Sequence, residues 1–78
     1  MYYSYLLKLS NNTLYSGFSE KLAQRINEHN AGNVTATHKY LPVQLVFYAA
    51  FINKKKALDF EKYLKSSSGF AFRNKRLV

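Results

Sequence analysis

Two β-prone segments joined by a short polar turn open the sequence and restrict its N-terminal part to a β-hairpin. The first segment, Tyr2 to Leu9, is rich in Tyr and Leu, and the second runs from Thr13 to Phe18. The tripeptide between them, Ser10-Asn11-Asn12, consists of residues that favour turns. Alternation along the first segment places Tyr3 and Tyr5 on one face of the sheet. The sequence therefore predicts an antiparallel pair of strands that carries tyrosines on one side.

The segment after the hairpin predicts a helix that begins at Ser19 and ends at Gly32. Ser19 is a favourable N-cap, and Glu20 places an anion in the first turn, where the helix dipole favours it. Glycine commonly follows the last turn of a helix, which sets the boundary at Gly32. The helical period is carried by Leu22, Ala23, Ile26 and the pair His29-Asn30.

A third strand is predicted from Val43 to Phe51, after a polar loop over residues 32–41. Pro42 opens this strand. The nearly continuous apolar run of Val43 to Phe51 indicates a strand that is buried on both faces.

The C-terminal third predicts two more helices. Asn53 caps a helix that runs to about Lys65, and a short last helix over Phe70 to Lys75 follows the Ser-rich break at Gly69. The order β-β-α-β-α-α predicts an α+β fold, with a small three-stranded, mostly antiparallel sheet flanked by helices. Since 78 residues suffice for one small domain, we expect a single domain over residues 1–78.

The composition excludes several classes of protein. Seven Tyr, six Phe and an apolar fraction of 47% favour a packed core over disorder. The absence of Cys excludes a disulfide framework, a thiolate zinc site and a cysteine nucleophile. No apolar run approaches the ~20 residues of a membrane span, so no membrane association is expected. The N-terminus lacks the basic region and cleavage site of a signal peptide, so we expect a cytoplasmic protein.

The charge distribution indicates a polyanionic partner or a solubilising surface. The formal net charge is +8, and eight of the twelve Lys and Arg residues lie between Lys54 and Arg76. Such a field attracts nucleic acid, the commonest polyanion in a cytoplasm. Charge alone does not decide between these two interpretations.

Three polar residues lie beside apolar residues at helical spacing. Arg25 and His29 are four residues apart and share one face of the first helix, either as a surface pair without a task or as part of a site. Glu61 belongs to a stripe on the second helix, and burial of an unpaired carboxylate is costly. We therefore expect a cation beside Glu61, either Arg in a structural salt bridge or a metal ion. The stripe consists of Ala57, Phe60, Glu61 and Leu64.

Two tyrosines extend this set. Tyr5 and Tyr15 fall at similar heights on neighbouring strands if the hairpin turns at residues 10–12. Ordinary packing accounts for any single strand tyrosine. The unusual feature is that two phenols, a guanidinium, an imidazole and a carboxylate can converge at one end of a small sheet. Phosphodiester hydrolysis needs such groups, namely a proton acceptor, a cation and a carboxylate for a divalent metal.

With these residues identified, the sequence resembles the GIY-YIG endonuclease family. It is most similar to the small single-domain bacterial branch, and it also resembles the catalytic domain of excision-repair incision subunits. Members begin with an aromatic strand, followed by a Leu-Tyr-x-Gly turn, a Leu-x-x-Arg-hydrophobic-x-x-His-Asn helix and a Glu-containing helix. The resemblance covers nearly the whole chain. The corresponding segments are YYSYLLKL, LYSGFSEKLAQRINEHNAG, LPVQLVFYAAF and KKKALDFEKYLKSSSGFAF.

The resemblance assigns roles to individual residues. Tyr5 and Tyr15 match the tyrosines of the two signature triplets, and Arg25 matches the helix arginine. His29 matches the histidine that follows one turn later in several members, and Glu61 matches the single metal-binding carboxylate.

Three further positions bear on this match. Asn74 corresponds to an asparagine that follows the glutamate in some members. In the first triplet, Tyr3 replaces the family's glycine and Ser4 its isoleucine, a departure that affects the shape of the active-site backbone rather than the fold.

The resemblance implies a mechanism in which Glu61 and the scissile phosphate share one Mg²⁺ or Mn²⁺ ion. Arg25 would neutralise charge in the transition state, and His29 would assist proton transfer or bind phosphate. A tyrosine phenolate, Tyr5 in preference to Tyr15, would accept a proton from water. Because a free phenol has a pKa of about 10, Arg25, Lys8 or the metal would have to lower it.

The expected function is endonucleolytic cleavage of DNA rather than RNA, with low sequence specificity because no additional DNA-reading domain is recognisable. Repair-related or structured DNA is the expected substrate, and a partner protein is one means of targeting. Residues expected to contact nucleic acid are Lys8, Lys54, Lys55, Lys56, Lys62, Lys65, Arg73, Lys75 and Arg76.

Two alternatives remain at this point. A nucleic-acid-binding module with the same fold would bind DNA in a salt-sensitive way without needing a metal. A homodimer formed through Val43 to Phe51 ranks last, since that segment is predicted to be covered rather than an open edge. The presence of every residue type that the family uses favours the nuclease.

Overall fold

The computed structural model describes residues 1–66 and shows an α+β fold with three strands and two helices. Their order, β-β-α-β-α, is the predicted order up to the second helix. The helix predicted over Phe70–Lys75 lies outside the described residues, as do four predicted site residues, Arg73, Asn74, Lys75 and Arg76. The elements are β1 (Tyr2–Lys8), β2 (Leu14–Ser19), α1 (Leu22–Asn30), β3 (Gln44–Phe51) and α2 (Lys54–Lys65).

The sheet has the strand order β2-β1-β3, and β1 pairs antiparallel with both neighbours. At its centre Tyr5 lies opposite Gly17 of β2 and Tyr48 of β3. Because side chains alternate along β1, Tyr3 and Tyr5 share one face, as predicted, and Ser4 lies on the other.

The face that carries Tyr5 is covered by α1 and by the loop after it. Tyr5 and Leu7 of β1 are buried in a cluster there, and Leu22 and Ile26 of α1 pack against this cluster. The loop contributes Val43, which is also buried.

The opposite face is covered by α2 and is almost entirely apolar. The Phe60 ring lies 6.2 Å from that of Phe47 and 5.7 Å from that of Phe51, between centroids. Ala57 and Leu64 are fully buried, as their helical spacing predicts. Asn53 caps α2 by accepting a hydrogen bond from the Lys56 amide at 3.2 Å, which confirms the predicted N-terminus. A polar contact also crosses this interface, in which the Ser4 hydroxyl donates to the Ala57 carbonyl.

Two predictions about the elements are wrong. Within residues 1–66, β3 is an edge strand whose one partner is β1, and Tyr48 is 52% exposed, so the strand is not buried on both faces. Its run of apolar residues reflects packing of Phe47 and Phe51 against α2, while α1 leaves the other face partly open.

The N-terminus of α1 also differs. Ser19 pairs with Tyr3 as the last residue of β2, so it is not the N-cap, and the helix begins three residues later at Leu22. Glu20 precedes the helix, and the Ser19 hydroxyl accepts a hydrogen bond from the Lys21 amide at 3.0 Å in the intervening turn. The helix ends before Gly32, whose φ of +79° explains why glycine is present there.

Candidate active site

The Tyr5 side chain occupies space that is free only because residue 17 is a glycine. A Cβ atom at Gly17 would overlap the Tyr5 ring and hydroxyl, so the phenol lies across β2 where that strand has no side chain. This close approach gives the glycine of the second signature triplet a steric function. Tyr5 itself is only 1% exposed.

Tyr15 lies on the same face, two residues before Gly17 and opposite Leu7. Tyr5 and Tyr15 are therefore diagonal neighbours at similar heights, as the hairpin predicted. Both rings contact the imidazole of His29 edge-on, with centroid distances of 5.9 Å for Tyr5 and 5.4 Å for Tyr15.

His29 is fully buried, so its interpretation as half of a helix-surface pair is wrong. Its Nε2 atom lies 3.0 Å from the Tyr5 hydroxyl, and its Nδ1 atom lies 2.7 Å from the hydroxyl of Thr37. Burial lowers the pKa of His29, and the positive charge of Arg25 lowers it further, against a smaller opposing effect of Glu28. The imidazole is therefore neutral at neutral pH, and it interacts with Tyr5 and Thr37 through hydrogen bonds rather than through charge.

Arg25 lies one turn before His29 on α1 and brings a cation to Tyr5. Its side chain is 37% exposed, and its Nη1 atom donates to Glu28 at 3.2 Å. The guanidinium also faces the Tyr5 hydroxyl. Burial raises the pKa of Tyr5 overall, while hydrogen bonding and the charge of Arg25 oppose this effect. Contact with Tyr5 and Glu28 raises the pKa of Arg25, which keeps the guanidinium charged.

Glu61 lies on α2, on the other side of the sheet from α1. Its side chain is 17% exposed, and its Oε2 atom lies 3.1 Å from Lys65 Nζ. The predicted cation is therefore a lysine one turn later rather than an arginine. Glu61 is close enough for its charge to raise the pKa of Tyr5, although it is the smallest of the contributing effects. The structure thus brings Tyr5 and Tyr15 into contact with His29, and it places Arg25 and Glu61 where both act on the pKa of Tyr5.

The donor chemistry of Glu61 fits a hard divalent cation, since carboxylate oxygen is a preferred ligand of Mg²⁺ and Mn²⁺. Among residues 1–66, no group of three His, Cys, Asp or Glu side chains is placed to hold a metal. A metal at Glu61 would therefore need most of its ligands from phosphate and water.

An open cleft of ≈ 370 Å³ gives access to the Arg25 side chain from solvent. The start of α1 and the end of β2 form its walls, and Glu28 lies at the same cleft. Its lining comprises Phe18, Ser19, Glu20, Lys21, Gln24, Arg25 and Glu28.

The predicted nucleic-acid contacts occupy several places. Lys8 ends β1 on the face opposite to Tyr5 and is not among the groups that shift the Tyr5 pKa, so Arg25 rather than Lys8 is the side chain that lowers it. Lys55 pairs with Asp59 at 2.9 Å, and Lys65 pairs with Glu61. The remaining lysines of α2, all exposed, are Lys54, Lys56 and Lys62.

Thr37 and Asn30 join the site without having been predicted. Thr37 is fully buried in the loop that was predicted to be simply polar. Asn30 anchors the end of that loop, because its side-chain oxygen accepts a hydrogen bond from the Val43 amide at 2.9 Å. Thr37 does not stand out in the sequence, and Asn30 is marked only as the last residue of the family's His-Asn helix motif, which does not reveal its bond to the Val43 amide.

Comparison with known proteins adds independent information. The family model described as the GIY-YIG catalytic domain matches residues 1–76. The UPF0213 protein in the ldhD 5′ region of Pediococcus acidilactici is 37% identical over 70 residues, which cover 86% of this chain and 71% of that protein. A UPF0213 protein of Clostridium perfringens is 39% identical over 66 residues, covering 83% and 71%.

A solved structure is similar over almost the entire chain. The solution NMR structure of a UPF0213 protein from Bacillus halodurans superposes with a TM-score of 0.60 at 26% identity. The match covers 99% of this chain and 87% of the other. No helix within residues 1–66 is long and apolar enough to cross a membrane.

Proposed function

The chain belongs to the GIY-YIG family of nucleases, and on this basis we propose that it is a metal-dependent endonuclease that hydrolyses phosphodiester bonds in DNA. We further propose that residues 1–78 form one catalytic domain with low sequence specificity. Its substrate would be structured or damaged DNA, reached directly or through a targeting partner protein.

The contact between Tyr5, His29 and Arg25 is the observation that carries this proposal. The Tyr5 hydroxyl lies 3.0 Å from His29 Nε2, and Arg25 acts on the same oxygen. A simple core would use Phe in place of a buried Tyr, and Leu in place of a buried His, because burial of titratable groups lowers stability. This cluster supplies the proton acceptor and the cation that phosphodiester hydrolysis requires.

Tyr5 acts as the proton acceptor in this proposal. The phenolate takes a proton from water, the water oxygen bonds to phosphorus, and the bond from phosphorus to the leaving oxygen breaks. A proton from solvent then neutralises the leaving oxygen. Because Tyr5 is buried and Arg25 is the partly exposed group that faces its hydroxyl, we place the approach of water and phosphate on the Arg25 side. Tyr15, which is half-buried beside His29, orients the water or the phosphate.

Arg25 has two functions. Its charge stabilises the Tyr5 phenolate, and its guanidinium stabilises the negative charge that develops on the phosphoryl oxygens. Glu28 holds the guanidinium in place before substrate binds. Arg25 exchanges this exposed ion pair for the phosphate at little cost, since such pairs contribute only about 0.2–1 kcal/mol.

Glu61 would hold the divalent metal through its carboxylate. When bound, Mg²⁺ or Mn²⁺ supplies Lewis-acid polarisation of the phosphoryl group and stabilises the leaving oxygen. Lys65, which pairs with Glu61 in the described structure, orients the carboxylate for this role.

Basic residues of α2 supply the affinity for DNA in this proposal. Lys54, Lys56 and Lys62 are exposed on one helix, and contacts of lysine with phosphate carry no sequence information. Low sequence specificity follows from this mode of binding.

A cleavage assay with Mg²⁺, Mn²⁺ or EDTA tests the proposal, using labelled single-stranded, duplex and branched DNA. The informative variant is Glu61→Gln, which keeps the shape of the side chain but removes its charge. The matched control is Asp59→Asn on the same helix. Asp59 pairs with Lys55 at a spacing of four residues, as Glu61 does with Lys65, so the control also removes the carboxylate of a lysine ion pair. We expect Glu61→Gln to lower the cleavage rate by about 10²-fold or more, and Asp59→Asn to leave it unchanged.

Equal rates for the two variants would contradict the metal assignment. Salt-sensitive DNA binding by wild-type protein, without cleavage of any substrate in either metal, would contradict the nuclease and favour a binding module of the same fold.

A further inference from the structure

Thr37 is buried beside the catalytic cluster without a packing explanation for its hydroxyl. It lies in the loop between α1 and β3, and its backbone groups are satisfied within that loop. The Thr37 amide donates to the Val34 carbonyl at 3.1 Å, and the Thr37 carbonyl accepts from the Tyr40 amide at 2.9 Å. Valine would fill the same space, so the hydroxyl itself requires an explanation.

The hydrogen-bonding pattern of the Thr37 hydroxyl determines which way the bond to His29 runs. Within residues 1–66, its one partner at hydrogen-bonding distance is His29 Nδ1, at 2.7 Å. A buried hydroxyl hydrogen needs an acceptor, and Nδ1 is the acceptor available. Donation from Thr37 to Nδ1 satisfies this hydrogen, and Nδ1 then carries no proton.

We propose that Thr37 is a positioning residue that fixes His29 in the tautomer with its proton on Nε2, so that His29 donates a hydrogen bond to the Tyr5 oxygen. The chain of bonds then runs in one direction, from the Thr37 hydroxyl to Nδ1 and from Nε2–H to Tyr5. The opposite tautomer would leave the Thr37 hydrogen without an acceptor. In the proposed tautomer the hydrogen of the Tyr5 phenol must instead go to water on the partly exposed Arg25 side, where the proposed function places the attacking water.

This direction matters for the proposed nuclease, on which the functional part of the inference rests. A donor at His29 Nε2 stabilises the Tyr5 phenolate, whereas an acceptor there would stabilise the phenol. His29 and Arg25 then both donate toward one oxygen, against the burial that disfavours its charge. The other ionisable groups that act on Tyr5 are Tyr15 on β2 and Glu61 on α2, and both disfavour the phenolate.

Nitrogen NMR tests the tautomer without requiring any activity. In ¹⁵N-labelled protein at about pH 8, above the ordinary histidine pKa of about 6.5, long-range ¹H–¹⁵N correlations distinguish a protonated Nε2 from a protonated Nδ1. We expect His29 to show the Nε2–H form, and exposed His38 in the same loop serves as an internal reference. A wild-type spectrum with the proton on Nδ1 would overturn the inference, whatever the behaviour of any variant.

Substitution of Thr37 separates positioning from packing. Thr37→Val removes the donor at nearly constant volume, and Thr37→Ser keeps the donor with one methyl group fewer. We expect Thr37→Val to populate the Nδ1–H form of His29, and Thr37→Ser to retain the wild-type tautomer. An unchanged His29 spectrum in folded Thr37→Val protein would contradict the assignment.

Cleavage rates as a function of pH complete the test. We expect Thr37→Val to shift the rise of the cleavage rate to higher pH. At a fixed pH on the rising part of the profile, the rate should fall about tenfold for each pH unit of this shift. Thr37→Ser should restore the wild-type profile. Wild-type rates retained by Thr37→Val at every pH would overturn the functional part. If wild-type protein cleaves nothing but shows the Nε2–H form, the nuclease proposal fails while the tautomer assignment stands.

Discussion

The two faces of the sheet are built on opposite principles. Against α2 the sheet presents aromatic rings and aliphatic side chains, with Ala57 and Leu64 fully buried. Between the sheet and α1, a tyrosine of the sheet and a histidine of the helix are buried and hydrogen-bonded to each other, and the charge of an arginine acts on both. The first arrangement stabilises the fold through burial of apolar area. The second costs stability, so its presence points to a catalytic role for these residues, to which Glu61 of α2 would add the metal ion.

The α2 face should respond to substitution with the largest change in stability. Leu64→Ala would leave a cavity at a fully buried position, and we expect it to lower the free energy of unfolding by about 2–5 kcal/mol. Chemical denaturation measures this change. Cleavage per folded molecule should stay within about twofold of wild type at a temperature where the variant is folded. A stable Leu64→Ala protein with impaired cleavage would break the comparison between the faces.

Arg25→Ala should give the converse result on the α1 face. We expect cleavage to fall by about 10²–10³-fold, because a positioned charge at the transition state is lost, while the free energy of unfolding changes by less than about 1 kcal/mol. Lys21→Ala, which removes another cation from the same cleft, is the matched control for general electrostatics. Similar losses of activity in the two variants would mean that Arg25 contributes only to the overall positive field.

Gly17→Ala tests the close approach of β2 to Tyr5. The added methyl group would overlap the phenol, so either the ring or the strand must move. We expect a loss of about 1–3 kcal/mol in stability together with about 10²-fold slower cleavage, since small displacements of a catalytic group have large effects. Ser16→Ala, at the neighbouring position with its side chain on the α2 face, is the control for the strand. Full activity in Gly17→Ala would show that the position of Tyr5 is not critical.

The pH dependence of stability should be the smallest effect. Burial holds the pKa of His29 below its usual value, so the unfolded chain binds a proton more readily than the folded protein. The contribution of His29 is therefore complete above about pH 6.5 and is lost as the pH falls from there toward the lowered folded-state pKa. Thermal unfolding between about pH 7.5 and 5 should show a falling Tm, and the decrease should be smaller in His29→Gln. An equal decrease in both proteins would assign it to other groups.

Local patterns were enough to predict most of the framework. Alternation along β1 predicts that Tyr3 and Tyr5 share one face, the position of the polar turn predicts similar heights for Tyr5 and Tyr15, and Asn53 marks the start of α2. These features depend on neighbours in the sequence, so they can be inferred from it.

The remaining features depend on contacts between distant segments. The burial of His29 and the role of Thr37 arise where the loop after α1 folds against the helix, and no periodic pattern marks either one. The edge position of β3 was also missed, because its apolar residues indicate packing against a helix but not the number of neighbouring strands.

The most direct test of the central claim is the single-turnover cleavage rate of wild-type and Tyr5→Phe protein as a function of pH, with metal present. Tyr48→Phe, at an exposed tyrosine opposite Tyr5 on β3, is the matched control. Because burial raises the pKa of Tyr5, the wild-type rate should rise throughout the range from about pH 7 to 9.5. Tyr5→Phe should be about 10²–10⁴-fold slower and lose this rise. A Tyr5→Phe protein that keeps the wild-type rate and its increase with pH would contradict the claim that this buried tyrosine is the proton acceptor.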